Sequence, residues 1–289
     1  MEGLLTAATA GLSAGGAYAV LGVCSVFTYR LVAVVNFAGA AIGAVGAFTL
    51  VTLFEGGMAL LPALLIGLAA GVAAATALGL VMTRWFSGSP PAVKAAVTAA
   101  ILVGVIAVGL RLTGGQDARL FPDILPGSAF RLAGVQITWA AIATVLLAIV
   151  FTLAAETFLA RTRAGLKLRA LSERPLAAEL LGMPVRRLAL AVWMVTGAMT
   201  TLALMIIAPQ RAPDFASMSL LIVPALAAAL IGAFASFRAA LVGGLTIGIV
   251  EGLASGIERF GQYRGALPFI VILAVLLWSQ RRARWDEAR

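Results

Sequence analysis

The chain has 289 residues, 62% of them hydrophobic and only 11% charged, where an ordinary soluble domain carries roughly 25% charged residues. That much apolar surface would leave a water-soluble fold covered in adhesive patches, whereas lipid covers it at no cost, so the composition specifies a membrane protein. The basic residues behind the formal charge of +9 lie in short loops and the tail; this fits membrane topology and anionic headgroups better than nucleic acid.

Cys24 is the single cysteine and histidine is absent. An intrachain disulfide and a thiolate metal cluster are thereby excluded, and the commonest general base and metal ligand is missing. No metal site, cofactor or catalytic residue is expected in this chain.

Nine apolar stretches are long enough, or nearly so, to cross a ~30 Å hydrocarbon core. They run over Leu5–Thr28, Val34–Phe54, Ala59–Thr83, Lys94–Leu112, Ile137–Ala160, Leu188–Ala208, Met218–Phe237, Ala240–Gly256 and Ala266–Ser279. Ala240–Gly256, short and glycine-rich, is the weakest of them, so the expected fold is an all-α polytopic bundle of about 8–9 spans in one domain, 1–289. The first stretch has no basic n-region, Glu2 being the only early charge, and reads as a retained helix rather than a cleaved signal.

In chain order, Asn36 is a polar amide at the entrance to the second stretch, followed by the small residues Gly39, Ala40, Gly43 and Gly46. Such a segment lets a helix break and line a solute path, or lets it approach a neighbour closely. Thr113–Gln136, with Gly114, Gly115, Pro122, Pro126 and Gly127, reads as an irregular outer cap. Arg161–Arg187 holds its own short helix: Ser172 can N-cap it, Glu173 and Pro175 suit its first turn, and Gly182 followed by Pro184 stops it. Leu176, Ala177, Leu180 and Leu181 form an apolar stripe at helical spacing, fit either to lie on headgroups or to dock in a groove of a soluble partner. Further on, Gly244, Gly248 and Gly252 repeat at the spacing of a close-packed helix face. Glu251 beside them costs roughly 2.5–3.5 kcal/mol in a span interior, so it is expected to face protein or water, or to snorkel outward if the helix ends there.

Placing Arg161–Arg187 in the cytoplasm puts 15 of the 21 basic residues on that side, with the N-terminus outside and the C-terminus inside, as the positive-inside bias requires.

The segment RTRAGLKLRALSERPLAAELLGMPVRRLALAV resembles the cytoplasmic loop of branched-chain amino acid ABC transporter permeases, through Arg161, Thr162, Arg163, Gly165, Arg169, Ala170, the run Ala177–Gly182, Val185, Arg186 and Arg187. Leu176 stands where that family usually carries an acid. GLSAGGAYAVLGVCSVFTYRLVAVVNFAGAAIGAVGAF is similar to the family's opening helices, notably at Gly11, Gly16, Tyr18, Asn36, Phe37, Ala38 and Gly46. Here Gly39, Ala40 and Ala41 replace a histidine, a glycine and an acid. PALAAALIGAFASFRAALVGGLTIGIVEGL is similar to its glycine-rich turn and following helix, with Ala233, Ala235, Arg238 and Ala239 replacing two glycines, a proline and a glycine, which should stiffen the turn.

The resemblance implies a bacterial inner-membrane, multi-pass permease subunit of an ATP-driven importer, not itself an enzyme. It implies a second permease as homo- or heterodimer partner, two cytoplasmic ATPases carrying the ATP–Mg, and an extracytoplasmic solute-binding protein. The substrate path is then expected at Tyr18, Asn36, Phe37, Gly39, Gly43 and Glu251. ATPase coupling is expected within 161–187, at Glu173, Leu176, Ala177, Ala178, Glu179, Leu180 and Gly182. The two lysines, Lys94 and Lys167, do not follow glycine, so no phosphate-binding Gly-Lys-Ser/Thr loop exists and ATP must be hydrolysed elsewhere. The alternatives are an ion-coupled secondary transporter and a non-transporting or degenerate partner in a heterodimer.

Overall fold

The computed structural model describes residues 2–115, 119–132, 135–173, 184–211, 214–256 and 264–287. Its helices are α1 (Glu2–Val32), α2 (Gly39–Glu55), α3 (Leu60–Trp85), α4 (Pro91–Thr113), α5 (Trp139–Arg161), α6 (Arg163–Glu173), α7 (Val185–Arg211), α8 (Phe215–Ser219), α9 (Ile222–Ile231), α10 (Phe237–Ser255) and α11 (Leu267–Glu287). Every apolar stretch of the sequence is helical over most of its length. Among the described residues six helices are long and apolar enough to cross a membrane alone, while Gly39–Glu55, Phe215–Ile231 and Leu267–Leu277 are shorter apolar helical segments. The protein is a multi-pass helical membrane bundle.

Two expectations are corrected. The stretch at 240–256 is not the short one: capped by Ser236, whose hydroxyl accepts from Ala239 N–H at 3.2 Å, α10 reaches 19 residues. The deficit falls on α2, whose 17 residues cover only about 25 Å. The outer segment 113–136 is not wholly irregular, because β1 (Ser128–Leu132) and β2 (Val135–Thr138) pair antiparallel, with a bulge between Ser128 and Phe130. An ion pair from Arg119 to Glu55 ties this segment to the end of α2.

α1 is the core of the bundle, touched by α5, α7, α9 and α10. Its sequence explains why: Gly11, Ala14, Gly15, Gly16, Ala17 and Ala19 let neighbouring backbones approach where larger side chains would hold them apart. The tightest approach is to α10. A methyl group on Gly248 would fall on the backbone of Gly15, one on Gly244 on that of Ala19, and one on Gly252 on Ala7 and Gly11. The repeat at 244, 248 and 252 is thus a backbone-to-backbone seam. On another side, α2 packs on α3 and α7, and α4 lies outside α2 and α8, with most of its surface exposed as a lipid-facing helix's would be.

The helical path is interrupted inside the bundle at two places. α1 stops at Val32, residues 33–38 are non-helical, and α2 begins at Gly39; Val34 and Ala38 in the gap are nevertheless buried. The second break falls at 220–221, between α8 and α9. Pro224 accounts for it: a proline has no N–H to bond the carbonyl four residues back, and its ring crowds that carbonyl, here Leu220. Beyond α9 the chain reverses through Ala233 and Phe234 at φ 49° and 53°. Left-handed backbone costs an L-residue roughly 1–2 kcal/mol, and the Phe234 ring, 5.1 Å from Tyr29, helps hold the turn.

Candidate functional site

The two breaks meet. Asn36 and Gly39 from the first, and Ile222 from the second, line one cavity together with Leu21, Cys24, Ser25 and Thr28 of α1, Ile42 of α2, Ala75 of α3, and Trp193, Thr196, Gly197 and Thr200 of α7. It is closed down to about 10 Å³, which is room for roughly one water molecule. Trp193, 1% exposed, forms its wall and stacks against Gly79, where any side chain would strike the indole.

The chemistry of the lining is uniform. Ser25 donates its hydroxyl to Leu21 O at 2.9 Å, Thr28 to Cys24 O at 3.0 Å, Thr196 to Val192 O at 2.9 Å and Thr200 to Thr196 O at 2.9 Å. With the protons spent on their own helices, these hydroxyls keep only lone pairs for another molecule. Asn36 is 7% exposed, and its Oδ1 is buried without a hydrogen-bond partner among the described residues. A buried acceptor left unmet costs about 1–3 kcal/mol, and functional sites are where such costs persist. Among the described residues no charged side chain lines the cavity, so it is suited to a small solute that brings hydrogen-bond donors and an apolar body.

The break is braced from α4. Thr98, fully buried, accepts from Phe37 N–H at 3.3 Å and lies 2.9 Å from Val35 O, the acceptor for its proton. It thus clasps the backbone on both sides of Asn36. Sequence reasoning missed Thr98, because a threonine inside an apolar run carries no signal of its own. One turn earlier on the same helix, Lys94 is 8% exposed, although the charge pattern reads it as a loop cation at the inner surface.

The other expected residues divide between the cavity, its edge and a separate pair. Gly43 sits beside the cavity's wall, where a methyl group would come within 2.8 Å of Leu204 Cδ1 and 3.1 Å of the Thr200 backbone. Tyr18 and Glu251 are not in the lining: the tyrosine hydroxyl donates to Glu251 Oε2 at 2.8 Å between α1 and α10, both residues being buried at 2% and 6% exposure. Glu251 therefore faces protein and does not snorkel. In the 161–187 segment, Ser172 and Glu173 lie within α6, and Leu176, Ala177, Ala178, Glu179, Leu180 and Gly182, with the rest of the expected short helix, lie outside the described residues.

A family model described as "Branched-chain amino acid transport system / permease component" matches residues 7–276. The chain is 25% identical to the high-affinity branched-chain amino acid transport system permease protein BraD of Pseudomonas aeruginosa, over 93% of this chain and 91% of that one. It is 28% identical to the probable branched-chain amino acid transport permease protein LivH of Methanocaldococcus jannaschii, over 61% of this chain and 58% of that one. Among solved structures, PsaBC from Streptococcus pneumoniae in complex with Fab is loosely alike, with a TM-score of 0.48 at 16% identity over 94% of this chain and 89% of that one. The likeness read from the inner loop and from both ends of the sequence therefore extends over nearly the whole length, and the chain belongs to the branched-chain amino acid transport system permease component family.

Proposed function

We propose that this chain is the membrane-spanning permease subunit of an ATP-driven importer, and that its solute passes the cavity at Asn36. The observation that carries the reading is the unmet Asn36 Oδ1 where the gap between α1 and α2 meets the α8–α9 break. Transporters of several folds place their sites at such discontinuities, where backbone and amide groups are free to meet a solute. The chain pairs with a second permease, homo- or heterodimeric, and rests on two cytoplasmic ATPases through the 161–187 loop. ATP-driven closure of the ATPases displaces the segment after α6, tilts the helices around Asn36 and re-opens the path. An extracytoplasmic binding protein supplies the solute, a branched-chain amino acid or a small organic molecule of similar size. The membrane is the bacterial inner membrane, with the C-terminus in the cytoplasm.

Reconstitution with the ATPases and binding protein tests this. Uptake is expected to require ATP, and Asn36→Leu is expected to lower uptake at least tenfold. The same substitution deletes an unmet buried acceptor at nearly constant volume, so the protein should melt no lower than before. Uptake that persists without ATP or the ATPases would overturn the importer reading in favour of ion-coupled transport. Unchanged uptake in Asn36→Leu would move the path away from this cavity.

A further inference from the structure

A second cavity, of about 550 Å³, opens between α2, α4 and α8, and its walls include Phe48, Thr49 and Thr52 of α2, Val108 and Thr113 of α4, and Phe215 of α8. That volume falls within the roughly 300–1,000 Å³ of small-molecule sites. The walls are apolar in effect. Thr49 donates its hydroxyl to Val45 O at 2.7 Å, Thr52 to Phe48 O at 2.8 Å and Thr113 to Gly109 O at 2.9 Å. Those protons are spent on their own helices, and among the described residues no charged side chain lines the space.

One end of the cavity differs. Arg119 donates to Thr113 O at 2.9 Å, at the end of the α4 wall, and it pairs with Glu55, three residues beyond Thr52 at the end of the α2 wall. Two residues on from Arg119, Phe121 meets Phe48 edge-on at 5.1 Å, and Phe48 in turn lies 5.2 Å from Phe215. A positive and a negative group therefore stand side by side where an apolar space ends. The guanidinium has further N–H groups to give, and Glu55 Oε1 carries no hydrogen bond among the described residues.

We infer that this cavity is an outer receiving site for a zwitterionic α-amino acid with an aliphatic side chain. The solute's carboxylate takes the Arg119 guanidinium, its ammonium takes Glu55, and its side chain fills the space between Phe48, Val108 and Phe215. In the empty site each charged group stands in for the solute's charge of the same sign. The two side chains are 30% and 36% exposed, and a pair so exposed adds little stability, so it exchanges partners readily. An acyl chain would fill the walls and leave both charges idle, and a simple anion would leave Glu55 and the apolar space idle. The place of this site in the path rests on the importer reading: in that topology it lies in the outer half of the bundle, where the solute arrives. α2 then joins the two sites, with Ile42 lining the Asn36 cavity and Thr52 lining this one.

The test is equilibrium binding of radiolabelled L-leucine to the full-length protein in detergent. It needs neither ATP nor the ATPases, so it succeeds or fails independently of the uptake assay for the importer reading. L-Leucine is expected to bind. Isocaproate, which lacks the ammonium, and isoamylamine, which lacks the carboxylate, are each expected to compete at least tenfold more weakly, because each leaves one charged partner unmet. Arg119→Gln and Glu55→Gln should each weaken L-leucine binding by a similar factor. Gly104→Leu, at a lining position with nothing within 4 Å of the first added carbon, should abolish binding without lowering the melting temperature, and Arg84→Gln, at a basic residue outside the cavity, should leave it unchanged. Equal competition by L-leucine and either analogue on the wild-type protein would overturn the zwitterion assignment, whatever the variants do to folding. Binding that survives the Arg119, Glu55 and Gly104 variants would place the amino acid elsewhere and overturn the site. Absence of L-leucine binding would also overturn it, and a phospholipid seen by native mass spectrometry and expelled by Gly104→Leu would make the cavity a lipid seat instead.

Discussion

The glycine seam between α1 and α10 predicts opposite signs for one chemical change at two places. Gly248→Ala adds a methyl group that meets only backbone of Gly15 and Gly11, and no rotamer can relieve that contact. The helices must part, at the usual overpacking cost of about 1–3 kcal/mol; because the obstacle is main chain, the upper half of that range applies. Replacing glycine inside a helix returns up to about 1 kcal/mol of helix propensity, which leaves Gly248→Ala about 1–2 kcal/mol less stable. Gly104→Ala, on the exposed face of α4 with nothing within 4 Å of the new methyl group, keeps the propensity gain alone and should be about 0.5–1 kcal/mol more stable. Denaturant titration of both variants in the same detergent, followed by circular dichroism, measures the difference. Two shifts of the same sign would refute the seam as a backbone contact.

Three further outcomes are expected. Tyr18→Phe should destabilise the protein by about 1–3 kcal/mol, as for a buried hydrogen bond to a carboxylate, and a double-mutant cycle with Glu251→Gln should return a coupling above ~0.5 kcal/mol; additive effects would place the pair apart. Gly39→Ala adds a methyl group at 3.4 Å from Asn36 Nδ2 and 3.5 Å from Ile222 Cδ1, ordinary contacts, so melting should hold within the ~0.5 kcal/mol of a harmless substitution. Uptake should nevertheless fall several-fold, because the added group enters a space the size of one water, whereas Gly43→Ala should cost about 1–3 kcal/mol through Leu204 and Thr200. Ala233→Gly should raise stability by roughly 0.5–1 kcal/mol, the relief of left-handed strain less the added freedom of the unfolded chain; a drop on thermal melting would show the turn to be unstrained.

Membrane class and span positions were legible because they depend on composition summed over some twenty residues, a sum that single side chains barely alter. Asn36 stood out as an amide between apolar runs, and the 244–248–252 repeat stood out by its spacing. What was hidden depends on neighbours distant in sequence. Thr98 matters only because Val35 and Phe37 lie against it, and Lys94 is buried only because α4 packs where it does. The break at 220–221 did carry a local signal in Pro224, which passed unremarked inside a long apolar run. The β1–β2 hairpin was missed because its alternation spans too few residues to outweigh the glycines and prolines before it. Tyr18 and Glu251 were both visible as polar residues within spans, yet their partnership joins positions 233 apart, which no local pattern encodes.

The seam also bears on motion. Helices that meet through side chains can slip as rotamers rearrange, but α1 and α10 meet main chain to main chain, with no compliant layer between them. The pair therefore moves as one body, and a displacement delivered at the end of α10 beside Ser236 reaches α1 without lost travel. On the proposed path, relative motion is then left to α2 with its braced gap and to the α8–α9 joint, which share a cavity with Leu21, Ser25 and Thr28 of α1.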